Sequence, residues 1–369
     1  MAVDLSVVLK IDSFCRGARP LSVVAAIYFY GLTKSRTVVS CLFLLFMLSE
    51  TLVSRLLSGK ICEARKILMI SALLRASGYV LLIAAGAFSS FATLFFAAVV
   101  CGASAGTGEA AFETFAGGAA QRVKQKQKFL SQMEMMRQIG LLTALCAAMF
   151  LLCLFPIRFA PLIGVVFAFA SAFCACGYTG KILFPTEDFR QEREAVRYIF
   201  RNGSAGKWFS RMANAAFIRA EKAVAGLFFQ LFLPVFAVNG AALFSVFCRA
   251  AGYAVTVGKG EGGDFAAFRA LIKVAAIAVN GFAAPFVFAA SALADGGADR
   301  KDRLKWDALP PYQRAVVAQA FSPVEKICAA CLILAFGCCA DLLGVFPAFV
   351  LLTAGEAVSA LAIRYCDSK

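Results

Sequence analysis

A chain of 369 residues that is 61% hydrophobic and 16% charged cannot bury its apolar surface as a water-soluble domain; such domains run near roughly 45–50% apolar and about 25% charged. The same figures exclude disorder, collagen, a coiled coil and a secreted disulfide scaffold. The formal charge of +15, from 37 Lys and Arg against 22 Asp and Glu, is then expected to mark cytoplasmic loops of a membrane protein rather than a nucleic-acid surface.

At about 20 residues a span, the length holds roughly twelve crossings. Residues 20–32 are apolar but rise only about 20 Å, short of a hydrocarbon core of about 30 Å. The first helix therefore runs over about 5–32 and takes Arg16 and Arg19 into the membrane. Asp4 and Lys10 interrupt this run, so no cleavable leader is expected. Helices follow at about 37–57 and 67–88, with the basic connection Arg55 to Lys66 between them. The fourth covers about 91–118, with Gly102-x-x-x-Gly106 as a close-packing face. The basic loop QRVKQKQK at 121–128 leads to helices at about 131–154 and 159–180.

Residues 181–212 are polar and Arg-rich and read as a cytoplasmic linker between an N-terminal half, 1–180, and a C-terminal half, 213–369. Helices seven and eight fall at about 214–236 and 241–258. Residues 265–294 read as two short spans turning near Gly281 to Pro285, with Arg269 counted in the preceding inner connection. The last pair lies at about 311–340 and 343–364. On this map the basic loops share one side and the outer turns hold only Lys34, Arg36 and Arg158. That bias places both termini in the cytoplasm and makes the helix number even. The architecture expected is twelve transmembrane helices in two six-helix halves. A faint echo of the 122–141 region in the 314–331 region suggests an internal duplication of the kind secondary transporters carry.

The chain has no histidine, which removes histidine acid–base chemistry, zinc sites of the HExxH type and any Ser-His-Asp triad. The 14 cysteines sit mostly in apolar runs and read as small hydrophobes. Cys328-x-x-Cys331 and Cys338-Cys339 have metal-like spacing but fall in a membrane-grade helix pattern, so neither a metal nor another cofactor is expected. Gly203-Ser-Ala-Gly-Lys207 continues with Trp208 where a phosphate-binding loop needs a hydroxyl, and Gly258-x-Gly-x-Gly follows no strand. An enzyme or ATP-driven pump is therefore not expected.

The first-helix, basic-loop and fourth-helix stretches RGARPLSVVAAIYFYGLT, SETLVSRLLSGKICEARKILMI and GASAGTGEAAFETFAGG resemble those of the major facilitator superfamily. So do LFFQLFLPVFAVNGAALFSVFCRAAG at helices seven and eight and LPPYQRAVVAQAFSPVEKI at the start of the eleventh, which carries the resemblance over nearly the whole length. It implies a gate loop at Gly59, Lys60, Arg65 and Lys66, with Ser58 nearest the place of the family's aspartate. The Gly- and Pro-rich motif of antiporters has no counterpart in MEMMRQIGLLTALCAAMF.

Ionisable groups inside spans are expensive and mark function by default. Arg16, Arg19, Arg75 and Arg249 are the candidate substrate-binding groups, since guanidinium forks suit carboxylate or phosphate. Against that stands a plain packing role, in which Arg75 pairs with Glu109 or Glu113. Glu109, Glu113 and Glu325, with Glu356, are the groups through which a proton would have to couple; sodium is the other coupling ion considered. Asn239, Asn280 and Gln230 read as hydrogen-bond glue between helices. The function expected is secondary active transport of a small solute, leaning towards an anionic metabolite, across the cytoplasmic (inner) membrane by alternating access. The protein would be a monomer in the lipid bilayer, without nucleic acid. The alternative is a non-transporting, facilitator-like scaffold or partner subunit.

Overall fold

The computed structural model describes residues 5–17, 28–57, 64–122, 126–177, 205–229, 235–255, 265–279, 281–297 and 311–368. Among these residues no strand occurs. In chain order the longer described helices are α1 (Leu5–Gly17), α2 (Arg36–Leu57), α3 (Ala64–Phe88), α4 (Phe91–Arg122), α5 (Lys126–Leu154) and α6 (Pro161–Cys176). After them come α7 (Ala205–Phe229), α8 (Val235–Val255), α9 (Phe265–Val279), the short α10 (Ala284–Ala290), α11 (Pro311–Leu342) and α12 (Val345–Ser368).

Helix is the only regular structure that satisfies every backbone polar group within one segment, which lipid demands of anything but a closed barrel. Among the described residues, 7 helices are long and apolar enough to cross a membrane. Their outward side chains include Phe88, Phe173 and Leu342, each at least 80% exposed, as suits contact with acyl chains. The chain is an integral membrane protein.

The punctuation is short and chemical. Ser89 and Ser90 separate α3 from α4, and the Ser90 hydroxyl accepts from the Thr93 amide at 3.3 Å, a helix N-cap. A 3-10 turn at Ile157–Phe159 and Pro161 at the head of α6 carry the chain into that helix. Gly344 takes φ +97° between α11 and α12, and Gly281 takes φ +147° between α9 and α10. Both conformations favour a residue without Cβ. The turn at 281–283 falls where two short spans were expected. Arg269, read as part of a cytoplasmic connection, is instead a buried residue of α9; the run FAAFRALIKVAAIAV is helical throughout and its cations point inward. Helix α7 begins at Ala205, earlier than its apolar pattern suggests.

The chain divides into two compact units, one of Met1–Lys34 with Cys41–Glu187 and one of Ser35–Ser40 with Asp188–Lys369. In the first, small residues let helices touch. A Cβ on Gly102 or Gly106 would strike the backbone of α2 at Phe46 and Glu50, so the expected close-packing face lies against α2. Ser71 and Ser104 exchange hydroxyl-to-carbonyl hydrogen bonds between α3 and α4, at 3.1 and 2.8 Å. In the second unit α7 packs on α11 and α12. There too the Asp341 carboxylate closes the start of α2, accepting from the Arg36 and Thr37 amides at 3.2 and 2.9 Å and from the Ser35 and Thr37 hydroxyls.

Candidate functional site

Each unit encloses its own group of buried charges. In the first, Asp12 and Arg16 stand one helical turn apart on α1, with Arg16 Nε 2.6 Å from Asp12 Oδ2. The Ser171 hydroxyl of α6 donates to Asp12 Oδ1 at 2.6 Å. Arg75 of α3 reaches the same oxygen across 4.0 Å, the long limit of an ion pair. Arg16 also donates through Nη1 to the Gly108 carbonyl of α4. Gly108 is needed there, since a Cβ would lie 3.1 Å from the guanidinium carbon of Arg16 and 2.8 Å from Ser71 Oγ. Three helices thus converge on one carboxylate, and a fourth, α4, holds Arg16 beside it. Asp12, Arg16 and Arg75 are all buried, where Coulomb terms are strong and desolvation is costly.

The group in the second unit is larger. Lys273 of α9, with 0% of its side chain exposed, places Nζ against both Glu221 of α7 and Glu356 of α12. One turn earlier, Arg269 spreads its fork over three carboxylates: Nη2 to Glu221 at 3.2 Å, Nε to Glu356 at 2.7 Å, and Nη1 to Asp295. Asp295 lies in the helical segment 292–297 and also meets Lys222 Nζ at 2.9 Å, a residue half exposed at its other end. The Phe288 ring stands 6.0 Å from Lys273 Nζ, a cation–π contact on the apolar side. Beside this centre Arg219 of α7 pairs with Glu325 of α11 at 2.9 Å, partly in solvent reach.

Of the arginines expected in the site, Arg16 and Arg75 come together on Asp12. Arg249 lies on α8, partly buried and away from the ends of that helix, and Arg19 lies outside the described residues. Glu325 is held by Arg219, and Glu109 lies partly buried on α4. Glu113 falls on the same helix with its side chain outside the described set. Arg65 and Lys66 are exposed in the first turn of α3, whereas Gly59 and Lys60 lie outside the described residues, as do Gln230 and Asn280. Asn239, expected to tie helices together, is wholly buried on α8, and neither of its amide atoms is hydrogen-bonded among the described residues.

Five central residues escaped the sequence reading: Asp12, Glu221, Arg269, Lys273 and Asp295. A usable signal was present for two of the pairs. Asp12 and Arg16, and Arg269 and Lys273, are opposite or like charges at i,i+4 within apolar helices, and so share a face that cannot look at lipid.

No protein-family profile and no curated protein matches the sequence. The fold, by contrast, is that of major-facilitator-type transporters. The nucleoside transporter NupG superposes with a TM-score of 0.71 at 11% identity, covering 100% of this chain and 100% of that one. A bacterial homologue of the human lysosomal transporter Spinster, inward-facing and occupied, gives 0.65 at 12% identity over 99% and 95% of the two chains. A bacterial homologue of the iron transporter ferroportin, outward-facing, gives 0.60 at 15% identity over 100% of each. All three are transporters rather than enzymes.

Proposed function

We propose that the chain is a secondary active transporter carrying a small solute across the cytoplasmic membrane, working by alternating access of two six-helix halves with both termini in the cytoplasm. The carrying observation is the full-length likeness to solved transporters in a chain whose spanning helices enclose ion pairs. Ionisable residues at that depth persist where they serve passage of a solute or ion. The halves are 1–180 and 213–369, joined by a linker at 181–212, and the spans number twelve.

Arg75 is the group we assign to recognition of an anionic solute. It is buried on α3 beside Asp12 and Arg16, and Arg16 is held close by Asp12 and by the Gly108 carbonyl. A carboxylate or phosphate has the geometry to engage both edges of such a guanidinium. Arg16 then serves mainly to set Asp12.

Thermal unfolding of the detergent-purified chain against a library of metabolites tests this reading. A ligand that binds only the folded state stabilises by about 2.7 kcal/mol at a hundredfold excess over Kd. A rise with one class of anion, lost in Arg75→Gln and weakened in Arg75→Lys, is the expected result. No rise across the library turns the assignment to a non-transporting scaffold, whose partner then co-purifies with the chain.

A further inference from the structure

We propose that Arg219 and Lys222 of α7 form a binding site for a small dianion, of the phosphate or dicarboxylate kind, on a water-facing wall of the second unit. The two cations are three residues apart and share one face of the helix, their Cβ atoms about 5–6 Å from each other. Between residues 211 and 225 Lys222 alone is exposed, and every apolar side chain of that stretch is buried or half-buried. Helices that meet acyl chains look different: α6 turns Phe169 and Phe173 outward. The opening at Lys222 is therefore not a lipid face. Arg219 meets Glu325 within the apolar span Ser322–Leu342, and 38% of the Arg219 side chain is accessible there. A charged side chain that is accessible at membrane depth faces a water-filled cavity.

The way these cations are held lets them change partners. Lys222 meets Asp295 at 2.9 Å, but Asp295 is also held by Arg269, so an anion that draws Lys222 aside strands no buried charge. Arg219 meets Glu325 at 2.9 Å, and that carboxylate is itself 23% exposed, so water takes it up when it is released. Both exchanges occur among groups that water already screens, where an ion pair contributes little. The buried Arg269 and Lys273 have no such freedom, since each is fixed by carboxylates from α7 and α12. A guanidinium fork takes two oxygens of one anionic group, and an ammonium one turn on takes a further oxygen of the same dianion. This inference rests on the transport reading above and adds a site in the second unit to the one assigned to Arg75.

Thiol labelling of full-length Ala215→Cys in lipid nanodiscs tests the site, with the labelled peptide followed by mass spectrometry so that native cysteines do not interfere. Ala215 lies on the same face one turn before Arg219. The expected result is reaction with a water-soluble sulfonate reagent, slowed by inorganic phosphate or by succinate but not by sodium chloride at equal ionic strength. Which of the two dianions protects then tells phosphate from dicarboxylate. With Arg219→Gln or Lys222→Gln added, half-protection should need about tenfold more of the same dianion. No reaction in water, no protection by either dianion, equal protection by chloride, or unchanged half-protection in both variants overturns the proposal. Should Ala215→Cys fail to give a monodisperse protein, calorimetric titration of the wild type and Lys222→Gln with phosphate and succinate serves. There, no binding to the wild type or equal affinities overturn it. A dianion that binds here yet is not moved across proteoliposomes removes the transport reading and leaves the site. A metabolite whose stabilisation is lost in Arg75→Gln but untouched in Arg219→Gln and Lys222→Gln removes the site and leaves the transport reading.

Discussion

Glu221 and Glu356, more than a hundred residues apart on α7 and α12, close on a single ammonium group, that of Lys273. Neither carboxylate is exposed beyond 3% in its side chain, and Arg269 repeats the same bridge one turn away. The arrangement fastens three helices of the second unit at one depth. Its stability is a matter of mutual compensation, because each member would be an uncompensated buried charge without the others.

Lys273→Met is therefore expected to be strongly destabilising, by about 3–5 kcal/mol, since it leaves two buried carboxylates to share Arg269. The double variant Lys273→Met with Glu221→Gln should recover a large part of that loss by removing one of the two under-compensated charges. Unfolding midpoints of the three proteins in one detergent measure the coupling, and purely additive losses would contradict it.

Packing of α4 on α2 offers a test without charge. Gly102→Ala places a methyl group against the Phe46 carbonyl of the backbone, which cannot rotate away. A loss of about 1–3 kcal/mol follows from such overpacking. Gly31→Ala, where none of the described residues offers an atom within 4 Å, should leave the unfolding temperature unchanged within experimental scatter.

The start of α2 depends on Asp341. Its carboxylate meets two backbone amides and two hydroxyls there, and Arg36 stands 3.7 Å away. Asp341→Asn keeps an acceptor but discards the charge and should cost about 0.5–1 kcal/mol, while Asp341→Ala should approach about 2. Hydrogen exchange at the amides of residues 36 and 37 would accelerate in both variants, and more in the alanine one.

Asn239 reverses the usual expectation for a buried polar residue. With both amide atoms wholly buried on α8 and unbonded among the described residues, it carries a desolvation cost of about 1–3 kcal/mol. Asn239→Leu, close in shape, should leave the unfolding temperature unchanged or raise it. A marked fall would show that the amide has a partner in the folded protein.

The helical frame was legible because apolar runs of spanning length have few other uses, and the bounds of α2, Arg36–Leu57, lie within a residue or so of those the pattern suggests. The close-packing face at Gly102 and Gly106 was legible for a similar reason. The charge groups were legible only in part. Arg16 and Arg75 stand out as lone cations in apolar text, yet their partner Asp12 lies in a first helix already broken by Asp4 and Lys10. Arg269 and Lys273 were lost because helix α9 is short, and a short helix with two cations looks like a loop until its acidic partners are known. Those partners come from residues 221, 295 and 356, and sequence spacing carries no trace of such distant pairing.

The enclosure of α9 also sets an order of manufacture. Each Lys or Arg near the centre of a membrane helix opposes insertion by about 2.5–3.5 kcal/mol, and α9 has two in 15 residues. When the ribosome delivers this segment, Glu221 has already emerged but Glu356 has not. A settled place for α9 in the bilayer therefore waits on α12, which is synthesised after it. A chain truncated before residue 356 would leave Arg269 and Lys273 to Glu221 and Asp295, without the hold that ties α9 to α12, which makes α12 a quality checkpoint for the second unit.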